Sequence, residues 1–515
     1  LTTSTIEFYN EYNFILIPSG GFYKEIHTMA EKARNHWLIL VFLALAQFMV
    51  VLDSSVVNVA LPAIQHSFHM KTSSLQWIIT AYTVTFGGFL LLGGRAADLY
   101  GRRRMFLTGV AVFAVASLCD GFAPSGGALI TLRAIQGLAG AFMSPAALSI
   151  VLITYREGHA RNTALSVWGA VASGGAAAGV LFGGILTEYL GWRWNFFINV
   201  PVAIIVYVVA SRIVPKHESE ETHNDLDLPG AASVTGAMML LVYALVQAPS
   251  HGWTSGSSLL YFALSIVLLV FFIFNEKRVK NPLIDLSIFK IRNLTGANLT
   301  IFPVIAAMFS MFFFISLYFQ NVLHYTPVHT GLSFLIVPIM IAIAATNVPR
   351  VIKKVGPKPV LVVGPLFVAF SLFLLAHIPV DGSYIKNVLP GLALLGFGGG
   401  MSFVAGTITA TSGVPSQQSG LASGLLNTTQ QIGGSLGLAI LSGIATSSAL
   451  KAIKHLPSHV ASSQAASYAQ VQGYHTAFYV GVCFAIAASI IALVIIRNPN
   501  RSAVPTGTEP APVIV

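Results

Sequence analysis

The chain has 515 residues, of which 55% are hydrophobic and 9% charged, with a mean hydropathy of +0.75. Soluble domains carry about 25% charged residues, so this composition excludes a string of soluble domains and points to a polytopic membrane protein. Cys119 and Cys483 stand far apart in apolar runs, which excludes a disulfide framework or a thiolate metal centre, and the net charge of +10 needs no nucleic acid partner if the basic residues gather in cytoplasmic loops.

Residues 1–37 lack the basic start, apolar core and small-residue cleavage site of a signal peptide. Met29, just ahead of AEKARNHWLIL, reads as a better beginning than Leu1, so the first residues are either a tail or a start placed too far upstream. Apolar runs of about 18–25 residues, each able to cross a hydrocarbon core of about 30 Å, then predict helices near 38–62, 74–95, 105–123, 127–152, 163–188, 196–214 and 230–248. Seven more follow near 258–275, 295–319, 328–348, 359–378, 388–410, 419–446 and 475–496. The polar, Pro-rich RSAVPTGTEPAPVIV at the end predicts disorder.

Fourteen helices put both termini on one side. Twenty-two of the 28 Lys and Arg fall on that side, five (Lys71, Arg193, Lys386, Lys451 and Lys454) fall opposite, and Arg133 lies within a helix. The positive-inside rule therefore makes both termini cytoplasmic.

Helix 1 carries Asp53, the only one of 18 acids well inside a predicted span, and helix 4 carries Arg133, the only such base. A charge at the bilayer centre costs at least about 2.5–3.5 kcal/mol, which makes each a functional candidate; a structural ion pair is the alternative. Helix 1 runs outward and helix 4 inward, so the two lie at similar depth. A change in their separation or hydration would switch Asp53 between holding and releasing a proton.

Between helices 2 and 3 the chain reads GGRAADLYGRRRMFL (residues 93–107), with Gly94, Asp98, Gly101, Arg102 and Arg103 in a G-x-x-x-D-x-x-G-R-R pattern. A positive-inside anchor explains the arginines but not the acid or the glycines. Helix 5 carries GAAAGVLFGG, whose Gly175, Gly179, Gly183 and Gly184 form a face for close packing. Asn58, Trp77, Thr80, Tyr82, Gln136, Gln320, Asn427, Gln430 and Gln431 are candidate cavity residues. Few polar groups among many Phe, Leu and Met suit bulky amphipathic compounds. No phosphate-cradling G-x-x-x-x-G-K-[ST] occurs, and the 14 histidines are scattered, so neither an ATP-driven pump nor a membrane enzyme is supported.

The loop motif, with LDSSVVNVALP in helix 1, WIITAYTV in helix 2, RAIQGLAGA in helix 4 and WRWNFFINVP opening helix 6, resembles the major facilitator superfamily, in its drug:proton antiporter branch with fourteen helices. The resemblance runs from about residue 36 to 496. It implies an all-α integral membrane fold: a six-helix bundle (36–215), two inserted helices (216–293) and a second bundle (294–497), flanked by tails 1–35 and 498–515. PRVIKKVGPK reads as a degenerate second copy of the loop motif, with Lys353 in the place of Asp98 and Pro349 in that of Gly94. The resemblance also implies that Asp98 faces the N-terminus of helix 13, at SQQSGLASG, as a cytoplasmic gate. Helix 5 resembles the antiporter signature, with Val180 in the proline position. The implied protein is no enzyme and has no cofactor or metal. It is a functional monomer in a bacterial plasma membrane that exports amphipathic drugs in exchange for protons, with lipid and no nucleic acid as its surroundings; export of one endogenous metabolite is the alternative.

Overall fold

The computed structural model describes residues 19–155, 159–215, 226–414, 418–457, 460–461 and 464–498. Among them, 14 helices are long and apolar enough to cross a membrane: α1 His36–Phe68, α2 Thr72–Tyr100, α3 Arg102–Gly121, α4 Gly126–Thr154, α5 Thr163–Tyr189, α6 Trp194–Ile213, α7 Leu228–Ala248, α8 Gly256–Glu276, α9 Arg292–Val322, α10 Pro327–Val355, α11 Pro357–Leu375, α12 Tyr384–Thr411, α13 Gly420–Lys454 and α14 Ala465–Ile495. Each coincides with a span expected from hydropathy. The first helix already begins at Ser19, so residues 19–35, read from sequence as tail, continue α1. Residues 1–18 and 499–515, the rest of the two expected tails, lie outside the described residues.

These segments are helical because only a helix or a closed barrel satisfies every backbone N–H and C=O in hydrocarbon. Their apolar residues also cover the lipid-facing surface: Ile204 and Ile205 of α6 and Ile266, Val267 and Val270 of α8 are more than half exposed. Prolines inside helices, such as Pro62 and Pro145, are accommodated where neighbouring helices can re-satisfy the freed carbonyls.

Helices α1–α6 form one bundle and α9–α14 another. The α7–α8 hairpin lies beside their seam, where Val242, Leu245 and Val246 of α7 meet Val84 of α2 and Leu436 and Ala439 of α13 in one buried cluster. At its base Asp227 accepts from the Gly230 N–H at 2.8 Å, and Asn275 donates to both Asp227 oxygens at 2.8 and 2.7 Å.

At the end away from the termini, here called distal, the bundles are sealed against each other. Ser316 and Gln320 of α9 donate to the Asn58 and Val59 carbonyls of α1 at 2.6 and 2.8 Å. Between α2 and α13, the Thr83 and Ser435 hydroxyls lie 2.5 Å apart, and Ser442 donates to Gln76. The Val328 N–H, in the first turn of α10, donates to Glu188 of α5 at 2.9 Å. Val56, Ile64 and Ile78 share a core with Met311, Phe314 and Phe334 across this seam.

Candidate functional site

On α4, Leu129, Arg133, Gln136, Gly137 and Gly140 recur at helical spacing and are buried, which turns Arg133 into the first bundle. Arg133 is 1% exposed and Asp53 0%. The Arg133 Nη1 donates to Asp53 Oδ2 at 2.5 Å, and its Nε donates to the Ile78 carbonyl at 3.2 Å. The guanidinium lies 4.3 Å from the centre of the Tyr82 ring and 5.8 Å from that of Phe196, within cation–π range.

Gln136 joins the pair. It accepts from Arg133 and donates to Asp53 Oδ1 at 3.0 Å and to Ser117 Oγ at 2.5 Å. Asn199 of α6 donates to the same Asp53 oxygen at 2.9 Å. Helices α1, α2, α3, α4 and α6 thus all contribute to one buried polar cluster. Breaking a pair of this kind by removing one partner typically costs about 3–5 kcal/mol, because it leaves an uncompensated charge. The cluster is suited to proton exchange: one carboxylate is held by a guanidinium and two amides in a site without water-exposed surface.

The sequence profile of the Major Facilitator Superfamily matches residues 43–438, a segment that contains this whole cluster. The chain belongs to the Major Facilitator Superfamily. It is a multi-pass membrane transporter and not an enzyme. The puromycin resistance protein pur8 of Streptomyces alboniger is 37% identical over 478 residues, 92% of this chain and 94% of that protein. The cephamycin export protein CmcT of Amycolatopsis lactamdurans is 36% identical over 82% of this chain and 87% of its own length. Among solved structures, an auto-inhibited POT family peptide transporter matches with a TM-score of 0.65 at 15% identity, covering 91% of this chain and 98% of that one. A bacterial homologue of the human lysosomal transporter Spinster, inward-facing and occupied, matches with a TM-score of 0.63 at 15% identity, over 89% of this chain and 96% of that one. These structures show the fold.

Several residues of this superfamily member stand elsewhere than the sequence suggested. Gln136 does not face a substrate cavity; it is fully buried in the ion-pair cluster. Gln320 donates to the Val59 carbonyl across the distal seam between α1 and α9, whereas the Asn58 amide donates to Ser54 of its own helix, and Trp77 packs near Tyr243 of the inserted hairpin, 6.3 Å between ring centres. Thr80 and Tyr82 are buried. Gln431 faces α2, where a side chain on Gly87 would meet its Cβ at 2.6 Å. Asn427 is exposed and Gln430 half-buried on α13.

The loop motif differs too. The Asp98 carboxylate pairs with Arg102 one turn on at 3.0 Å, and both side chains are substantially exposed. Ser416, at the expected capping end, lies outside the described residues. Arg103 donates to the Ser211 carbonyl at the end of α6, which ties the loop to its own bundle. Gly101 takes φ +93°, and Gly356, at the corresponding turn of the second bundle, takes +83°, a conformation that side-chain-bearing residues rarely adopt. Of the paired glycines that open the motif, Gly93 makes the close helix approach, since a side chain there would strike the Ala141 carbonyl of α4, whereas at Gly94 the nearest atom is 3.8 Å away.

On α5, side chains at Gly179 and Gly183 would collide with α1, around Ser55 and Val56, one at Gly175 would crowd Phe48 at 3.2 Å, and one at Gly184 would collide with Pro327 and Val328 of α10. These glycines bring α5 against both bundles. Val180 is buried, and its carbonyl faces Gly331 of α10.

Sequence reasoning missed three members of the site. Ser117 and Asp120 lie at the end of α3, and Asn199 lies inside the quoted WRWNFFINVP. The signal for the α3 pair was available: Phe106, Val110, Phe113, Ser117 and Asp120 recur at steps of four and three and are all buried.

Proposed function

We propose that this chain exports amphipathic, drug-like compounds across a bacterial plasma membrane in exchange for protons, by alternating access, with both termini cytoplasmic. The buried Asp53–Arg133 pair is the single observation that carries the reading. A proton delivered to Asp53 neutralises the carboxylate, frees Arg133 and loosens a cluster that joins five helices. Its return restores the pair. One inward proton is worth roughly 2.3 kcal/mol per 100 mV, enough for roughly a fiftyfold gradient of a neutral solute at about 1.4 kcal/mol per factor of ten.

The sealed distal end corresponds to a state closed to the outside. The relatives named for puromycin resistance, cephamycin export and tetracenomycin C resistance and export support efflux as the direction, and their bacterial sources support the location. A second reading, export of one endogenous metabolite, is favoured by names that specify single antibiotics; a multidrug resistance protein of Mycobacterium tuberculosis, 33% identical over 80% of this chain, favours the first. The test is purified protein in vesicles under an imposed pH gradient, given puromycin, lincomycin, tetracenomycin C and a lipophilic dye in turn. Gradient-driven movement of several supports multidrug export, movement of one supports a dedicated exporter, and movement without proton flux overturns the coupling.

A further inference from the structure

Asp120 closes the buried face of α3 at the distal end and is 0% exposed. Among the described residues, no donor reaches either of its carboxylate oxygens. Ser117, one turn away, accepts from Gln136 and Asn199, the two amides that also hold Asp53. Arg133 belongs to the same group, donating to Asp53 and to Gln136. The elements packed against this end of α3 present few other ionisable groups: α4 brings Arg133, α2 the Tyr82 phenol and α6 the neutral Asn199 amide. The short helix Trp194–Phe197 follows Arg193, whose guanidinium lies over Trp192.

Two acids and one arginine cannot all be charged here without leaving a net buried charge. Asp53 takes the arginine and both amides, whereas Asp120 takes none of them, and a buried carboxylate without a donor is far less tolerated than a neutral acid. We propose that Asp53 and Asp120 share a single proton, with Arg133 paired to whichever carboxylate is ionised. This rests on reading Asp53 and Arg133 as the coupling pair. In the state described here the proton sits on Asp120. In the exchange it leaves a carboxyl oxygen of Asp120 and bonds to a carboxylate oxygen of Asp53. The negative charge passes to Asp120, and the cluster stays neutral before and after. Asp120, on the distal side of the pair, is the acid that a proton from outside reaches first.

Infrared difference spectroscopy of the purified full-length protein at neutral pH reads the C=O band of protonated buried acids, and carboxyls common to both samples cancel. Relative to wild type, Asp120→Asn should lose one acid band. Asp53→Asn should lose the same band, because Asp120 then ionises beside Arg133, and Asp120→Glu should keep a displaced band. A band at full amplitude in Asp53→Asn makes Asp120 an acid indifferent to Asp53 and overturns the proposal. So does the absence of any difference between wild type and Asp120→Asn. If Asp120→Asn does not accumulate, the Asp53→Asn and Asp120→Glu spectra decide alone. Gradient-driven efflux of puromycin on the same samples separates the two readings: bands lost as expected with efflux retained in Asp53→Asn would sink the coupling role and leave the shared proton standing.

Discussion

Arg133 is held on several sides at once. Asp53, Gln136 and the Ile78 carbonyl take its N–H groups, and Tyr82 lies under its plane. A lysine keeps the charge but loses the Nε bond and the flat face, so Arg133→Lys should give a folded protein with weakened transport. Arg133→Ala leaves Asp53 buried with amides alone and should destabilise by about 3–5 kcal/mol, read as a fall in thermal midpoint or in membrane yield. The double variant Asp53→Asn/Arg133→Gln should recover most of that yield without recovering gradient-driven export. A purely structural pair predicts recovery of both. Asp53 and Arg133 were legible in the sequence because a lone charge inside an apolar run stands out. Asp120 was not, since a hydropathy window places an acid at a helix end in the interface; what buries it is the packing of α4 and α6, and only the spacing along α3 hinted at that.

At the scale of helices, the glycines of α5 and the acid at its distal end govern how the bundles meet. A side chain at Gly184 would run into the Pro327 carbonyl at 2.5 Å, so Gly184→Leu should pry α5 from α10, preserve membrane insertion and expose distal cysteine probes to a water-soluble thiol reagent. Unchanged labelling would show that this contact does not hold the distal end shut. Glu188 accepts from the first turn of α10, where a carboxylate meets the positive end of the helix dipole, an interaction worth about 0.3–1 kcal/mol. Glu188→Gln should therefore lower the ratio of distally closed to distally open protein by roughly two- to fivefold, measured by the same labelling. At the opposite end, Asp98 and Arg102 form an exposed pair that adds little to this state. If Asp98 caps α13 in the alternate state, Asp98→Asn should raise probe access from the cytoplasmic side; equal access, with transport intact, reduces the motif to an anchor. The motif's resemblance pointed to that contact, but the residue pattern does not carry the state in which it forms.

For the whole molecule, hydropathy sufficed for the fourteen helices, because each span must satisfy its own backbone in lipid. It carried less far for the substrate surface. Polar residues on inward-looking helices serve equally to tie helices together or to line a cavity: Gln320 joins the two bundles, Gln136 ties helices within the first, and the Asn58 amide turns back to its own helix. The distal seal, the inserted hairpin beside the seam and the buried cluster in the first bundle together describe a transporter in which one ion pair is coupled to the packing of five helices. The most direct test is efflux of puromycin from vesicles driven by a pH gradient, comparing wild type with Asp53→Asn at equal amounts of folded protein. Loss of uphill export and of proton exchange in the variant, with substrate binding retained, is the result this account predicts; full gradient-driven export by well-folded Asp53→Asn would contradict it.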